Sequence, residues 1–219
     1  MLYDKIDFNE SERIIALDGI SRTKALQIAK KLQGYVWGFK VNDLLFDNPT
    51  IIKKLKKFGS VFADAKLHDI PNTVGNSVHR LSRIGADIIT VHSYGGQEMM
   101  RAAKRVAGRT KIIAVTVLTS QKLSTRKKVL DLARGAVAAG VDGIVCSGHE
   151  LSAVKKIKGI GEMLIIVPGV RPSWYTKKDD QKRTMTPKKA ISIGADYIVI
   201  GRPIAETKDP LIAVRSLLM

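Results

Sequence analysis

Gly85-Ala86-Asp87-Ile88-Ile89, Gly140-Val141-Asp142-Gly143-Ile144 and Gly194-Ala195-Asp196-Tyr197-Ile198 begin 55 and then 54 residues apart, and the reading of this repeat decides the fold. Each copy follows a segment with apolar residues at three- and four-residue spacing and opens a short apolar run, so each marks a helix-to-strand junction. Glycine is expected there as a left-handed helix C-cap, a conformation that costs a residue without Cβ little. The spacing holds two strand-helix units, which places the junctions before the fourth, sixth and eighth strands.

Working outward, eight apolar runs are predicted as strands: Arg13–Asp18, Val36–Val41, Ser60–Lys66, Asp87–His92, Lys111–Val117, Gly143–Ser147, Met163–Pro168 and Tyr197–Gly201. Most are apolar on both faces, as parallel strands covered by helices must be. Helices are predicted between them, among them Thr23–Leu32, Pro49–Lys57, Asn72–Ile84, Arg126–Ala139 and Pro187–Ile193. Strict alternation of strand and helix gives a parallel sheet, and eight units close it. The expected fold is therefore α/β, a single-domain (β/α)8 TIM barrel with parallel strands over residues 1–219, a length that suits one such barrel.

Apolar residues make up 45% of the chain and charged ones 26%, and no apolar run approaches the roughly 20 residues a membrane helix needs. No membrane association is expected. Met1-Leu2-Tyr3-Asp4-Lys5 has no apolar core and does not read as a secretory signal. The lone Cys146 lies in the apolar run Gly143–Cys146 and reads as a buried structural thiol, which fits a cytoplasmic location. Net charge is +17, from 37 Lys and Arg against 20 Asp and Glu, which favours anionic ligands. The basic clusters fall inside amphipathic segments, and aromatics are only 5%, so they read as solvated helix faces and no nucleic-acid partner is expected.

The chemistry concentrates in Val61-Phe62-Ala63-Asp64-Ala65-Lys66-Leu67-His68-Asp69-Ile70-Pro71-Asn72-Thr73. Strand alternation points Asp64 and Lys66 to one face. Asp69 lies past the strand end, and Pro71-Asn72 opens a helix. A bare surface ion pair of Asp64 with Lys66 would contribute only about 0–1 kcal/mol and needs no third charge beside it. Barrel sites sit at the C-terminal ends of the strands. Those ends supply Asp18, Lys40 with Asn42, Asp64 and Lys66, Thr119-Ser120, Arg171 and Gly201-Arg202-Pro203. The loops after strands seven and eight suit a phosphate, with Arg202 as a bidentate partner. Residues 169–186 make a connection far longer than a usual βα loop, as lids and binding loops are, and Trp174 and Tyr175 are unusual in a purely solvated loop.

Metal binding is the competing use of Asp18, Asp64, Asp69 and His92, but two lysines in the same mouth repel a divalent ion, so no metal is expected. His92 reads as a strand-end hydrogen-bonding residue and His68 as a loop residue. No glycine-rich dinucleotide fingerprint follows strand one, and Cys146 has no histidine partner in sequence.

The pattern Asp64-x-Lys66-x-x-Asp69-Ile70-Pro71-Asn72-Thr73 occurs together with Phe39-Lys40, Leu118-Thr119-Ser120 and Pro168-Gly169-Val170-Arg171-Pro172. Asp180-Gln181-Lys182-Arg183 with Thr186-Pro187, and Ile200-Gly201-Arg202-Pro203-Ile204, complete the set. It resembles the orotidine 5′-phosphate decarboxylase family across nearly the whole chain. The Asp-x-Lys-x-x-Asp core is shared with related phosphosugar enzymes, the hexulose-phosphate synthases and keto-gulonate-phosphate decarboxylases. Lys40 separates the two groups, because the resemblance implies an acidic residue there in the metal-dependent relatives.

The resemblance implies cofactor-free decarboxylation of orotidine 5′-monophosphate to uridine 5′-monophosphate. Lys66 would stabilise and protonate the C6 anion, with Asp64, Asp69 and Lys40 as the other catalytic groups. Asp18 and Lys40 would hold the ribose, Thr119 or Ser120 the pyrimidine, and Arg171, Gln181, Gly201 and Arg202 the phosphate. Ile70 and Thr73 would also bind substrate, and Asp69 and Thr73 would do so in the neighbouring subunit of a homodimer. Two other readings make distinct predictions. An Mg²⁺-dependent phosphosugar decarboxylase or aldolase would be sensitive to EDTA, and a nucleic-acid-binding barrel would show steeply salt-dependent affinity.

Overall fold

A computed structural model of the chain describes residues 12–118, 126–177 and 184–218. Its eight strands are β1 Arg13–Ala16, β2 Gly38–Val41, β3 Ser60–Leu67, β4 Ile88–His92, β5 Lys111–Val115, β6 Gly143–Val145, β7 Leu164–Val167 and β8 Tyr197–Ile200. They close a barrel in sequence order, each paired in parallel with its neighbours and β8 with β1. The expected barrel is present. β2 and β4 end where predicted and β3 runs one residue further, whereas β1, β5, β6, β7 and β8 stop a residue or two short, because residues such as Asp18, Val117 and Gly201 have already turned into the loops that build the site.

The helices are α1 Arg22–Leu32, α2 Asp43–Asp47, α3 Ile51–Leu55, α4 Pro71–Ile84, α5 Gly96–Val106, α6 Arg126–Ala139, α7 Leu151–Val154, α8 Pro187–Ile193, α9 Arg202–Ala205 and α10 Pro210–Arg215. Their starts carry the expected signals: the Ser21 hydroxyl accepts from Lys24 N at the head of α1, and Pro71 and Pro187 occupy the first turns of α4 and α8. None of the described helices is long and apolar enough to cross a membrane.

The repeat has a structural use beyond its glycines. Gly85, Gly140 and Gly194 take φ of 111°, 70° and 100° after α4, α6 and α8. The aspartate that follows each one straps two strands together at the N-terminal end of the barrel. Asp87 accepts the N–H of Val61 at 2.7 Å, Asp142 that of Ile112 at 2.8 Å, and Asp196 that of Ile165 at 2.7 Å. A carboxylate taking a backbone donor at a strand edge satisfies a group the ladder leaves unpaired.

Two apolar layers result. Ile14, Ala16, Phe62, Ile88, Ile113, Ile166 and Val199 fill the barrel interior, and a larger set between the strands and the helices includes Ile15, Phe39, Val61, Ile89, Ile112 and Ile144. Consecutive residues such as Ile14 and Ile15 therefore go to different layers. The interior filling stops below the level of Lys40, Asp64 and Thr90, which are buried polar residues. The polar site begins at that level.

Candidate active site

A cavity of about 490 Å³ opens at the C-terminal ends of the strands, lined by Asp18, Gly19, Lys40, Asp64, Lys66, Arg171, Gly201 and Arg202 over an apolar floor that includes Phe62, Val115, Val145, Ile166 and Val199. Its size is that of a small-molecule site. Seven of the eight strand ends, all but that of β4, thus bring together side chains separated by up to 184 positions in sequence.

Four charges alternate along one wall. Lys40 Nζ contacts Oδ2 of Asp18 and lies 3.0 Å from Oδ2 of Asp64; Lys66 Nζ lies 2.6 Å from that same oxygen. Burial opposes the Lys40 charge, yet Asp64 and Asp18 outweigh it and hold the ammonium pKa above the ordinary lysine value. Burial likewise opposes ionisation of Asp64, but Lys40 and then Lys66 hold its carboxyl below the usual range. The array is fixed by backbone contacts as well. Asn42 donates its side-chain N–H to the Asp64 carbonyl at 2.7 Å and its backbone N–H to Asp18 at 3.1 Å.

Asp64 and Lys66 meet, but not by simple strand alternation. Between β3 and β4 the register pairs Ala63 with Ile89 and then Leu67 with Val91, so Asp64, Ala65 and Lys66 lie opposite Thr90 alone. The extra residues form a bulge. Lys66 takes φ 47°, the one positive φ of a non-glycine among the described residues. Left-handed backbone at a lysine is uncommon and concentrates at functional sites. Within the bulge, the Thr90 hydroxyl accepts the Lys66 N–H at 2.9 Å and donates to Asp64 Oδ1 at 2.9 Å. The sequence reading overlooked Thr90: a threonine in a strand is unremarkable, and its only signal is a polar side chain on the inward set with Ile88.

Asp69, Ile70 and Thr73 are exposed at the start of α4 and do not line this chain's cavity. Asp69 accepts the N–H of Ile70 at 2.6 Å, and Ile70 is 65% exposed. Thr119, Ser120 and Gln181 lie outside the described residues. The long connection is pinched at its base, where Arg171 N donates to the Met185 carbonyl at 2.9 Å. Beyond it, Arg171 lies over the Tyr175 ring and Trp174 packs edge-on to Tyr175.

His92 reads differently in the structure from its expected hydrogen-bonding role, whereas Cys146 is buried as expected. His92 Nδ1 is buried without a hydrogen-bond partner, and the ring packs between His68 and Tyr94. Burial, then His68 and Lys66, lower its pKa. His92 is thus a packing residue at the strand end. Cys146 is buried and its thiol is pushed up to about 12, first by desolvation and then by Glu150, which leaves it unreactive.

A model of the orotidine 5′-phosphate decarboxylase / HUMPS family matches residues 12–217. The chain belongs to this family. Within it, the chain is 46% identical over 189 residues to the orotidine 5′-phosphate decarboxylase of Lactococcus lactis subsp. lactis, covering 77% of this chain and 79% of that protein. The corresponding protein of Carboxydothermus hydrogenoformans is 40% identical over 230 residues, 95% of each chain. The crystal structure of orotidine 5′-phosphate decarboxylase from Lactobacillus acidophilus superposes with a TM-score of 0.80 at 34% identity, covering 94% of this chain and 97% of the other. In this orotidine 5′-phosphate decarboxylase / HUMPS chain, Asp64 and Lys66 lie together on one wall of the cavity.

Proposed function

We propose that the chain converts orotidine 5′-monophosphate to uridine 5′-monophosphate and CO₂ without a cofactor, the last step of de novo UMP synthesis. Its named relatives carry this activity in their names. The observation that carries the reading is the alternating array of Asp18, Lys40, Asp64 and Lys66 on one wall of a cavity that Arg171, Gly201 and Arg202 also line.

The array fits the chemistry. As the C6–carboxylate bond breaks, its electron pair stays on C6, where no neighbouring carbonyl can delocalise it. The Lys66 ammonium stabilises that localised charge and then delivers a proton from Nζ to C6, leaving a neutral amine that solvent reprotonates. Asp64 lies beside the departing carboxylate and holds Lys66 in place. Lys40 is tied to both Asp18 and Asp64, so it fixes the array and reaches the ribose, whose hydroxyls Asp18 accepts. Thr119 or Ser120 contacts the pyrimidine, and Gln181 joins Arg171, Gly201 and Arg202 on the phosphate. Binding of this remote dianion supplies energy that is expressed at the transition state.

The exposure of Asp69, Ile70 and Thr73 beside the mouth supports a homodimer in which these residues enter the partner's site. The working compartment is the cytoplasm. The decisive experiment is ultraviolet absorbance of purified protein with orotidine 5′-monophosphate in the presence of EDTA. A falling pyrimidine signal with equimolar uridine 5′-monophosphate is expected; turnover that stops on chelation and returns with Mg²⁺ overturns the cofactor-free reading.

A further inference from the structure

We propose that Thr90 is the positioning residue that sets Lys66 against the reacting carbon, acting through the bulge in β3; this rests on the decarboxylase reading above. Three observations converge on it. Thr90 is the single residue of β4 opposite Asp64, Ala65 and Lys66, so the ladder supplies no ordinary partner across that span. Lys66 holds a left-handed φ of 47°, which a β-side chain disfavours and which persists only where its surroundings over-determine it. The Thr90 side chain, fully buried, supplies that constraint at both ends of the bulge.

The direction of each hydrogen bond follows from the inventory of donors. An ionised Asp64 carboxylate can only accept, so the single Thr90 proton goes to Asp64 Oδ1, and its oxygen is left to accept the Lys66 N–H. Asp64 spends its other oxygen, Oδ2, on Lys40 and Lys66. One hydroxyl therefore fixes the backbone from which the Lys66 side chain departs and also the rotation of the carboxylate to which its ammonium returns. Loss of the hydroxyl frees both ends of the Lys66 lever together. A displacement of about 1 Å at a reacting group costs on the order of 10²-fold in rate.

The same geometry separates binding from chemistry. Thr90 is absent from the cavity lining, and the phosphate side, Arg171, Gly201 and Arg202, lies on β7 and β8 loops away from β4. Substrate binding should therefore survive while the chemical step suffers.

Thr90→Val removes the hydroxyl at nearly constant volume, and Thr90→Ser keeps it. The expected result is a kcat lowered about 10- to 100-fold in Thr90→Val with KM changed less than threefold, and recovery to within about threefold of wild type in Thr90→Ser. Affinity gives a second readout. Thr90→Val should bind uridine 5′-monophosphate as wild type does but lose at least tenfold for its analogue with an ionised hydroxyl at C6, which probes the placed ammonium directly. Melting temperatures accompany each variant. A folded Thr90→Val with wild-type kcat and wild-type preference for the C6 anion overturns the proposal. So does a Thr90→Val that fails to fold while Thr90→Ser folds but remains slow, because the hydroxyl then serves the fold alone. Absence of turnover in the wild-type protein, by contrast, overturns the decarboxylase reading, while the C6-anion preference still tests the placement of Lys66.

Discussion

Lys40 and Lys66 share one oxygen: both ammonium groups lie against Oδ2 of Asp64, at 3.0 and 2.6 Å. Two cations this close are tolerable because Asp64 sits between them and Asp18 closes the far side of Lys40. The arrangement keeps the buried Lys40 ammonium charged above an apolar floor. It also makes Asp64 the residue on which both lysines depend, and several measurable consequences turn on that.

Asp64→Asn should cost about 3–5 kcal/mol of stability at neutral pH, because it leaves two ammonium groups around a neutral amide in a buried setting. The cost should depend on pH with a definite sign. The folded-state pKa of Asp64 is lowered, so its stabilisation is complete above the unfolded value of about 4 and is lost as pH falls through the folded value. Lys40, raised in the folded state, contributes fully below about pH 10 and loses its contribution only as pH rises through its folded value. Urea unfolding of wild type and variant at pH 7, 4 and 3 should show the gap narrowing toward acid; a constant gap contradicts the ionised state assigned to Asp64.

If the proposed mechanism holds, Lys66→Ala should abolish turnover while binding of uridine 5′-monophosphate changes by less than about tenfold, since in that mechanism Lys66 acts on charge that develops only in the transition state. The comparison is single-turnover rate against equilibrium affinity. A variant that keeps a tenth of the wild-type kcat removes Lys66 from the proton-transfer step.

Arg202→Ala should raise KM strongly for orotidine 5′-monophosphate and do far less to turnover of orotidine, the substrate without phosphate. Arg202 stands at the head of α9, next to Gly201, where an added Cβ would come within 3.3 Å of Ala16 Cβ. The backbone there is drawn close to the strand, and Arg202 lines the cavity. Equal losses for both substrates would take the phosphate away from this corner.

Much of this was legible in the sequence, and the exceptions have a common cause. The glycine of each repeat announced a helix end by its conformational freedom, and eight alternating units announced the barrel. The charged strand ends Asp18, Lys40, Asp64, Lys66, Arg171 and Arg202 could be collected because barrel topology puts every strand end at one face. The aspartates of the repeat could not be assigned, because a carboxylate that accepts a backbone N–H from the preceding strand leaves no periodic trace. Nor could the bulge: alternation assumes a regular ladder, and a register shift between Ala63 and Leu67 is set by the partner strand. Thr90 was hidden for the same reason. Its hydroxyl acquires a role only once three residues of β3 are known to face it.

The last prediction concerns Asp69, which is exposed at the end of the Asp-x-Lys-x-x-Asp pattern and accepts the N–H of Ile70 without reaching its own chain's cavity. If each site of a homodimer combines Lys66 of one chain with Asp69 of the other, activity is divisible. Lys66→Ala and Asp69→Ala homodimers should each be nearly inactive, because every site lacks one group. In a mixed dimer, one site collects both lesions and the other neither. Random reassortment in a closed twofold dimer makes about half the dimers mixed, with half of their sites intact, so about a quarter of wild-type activity should return. The two variants are unfolded and refolded together and assayed against each alone, with mixed dimers verified by mass. Recovery near a quarter places Asp69 across the interface. Mixed dimers with no recovered activity return Asp69 to its own subunit and leave the exposed start of α4 without a catalytic use.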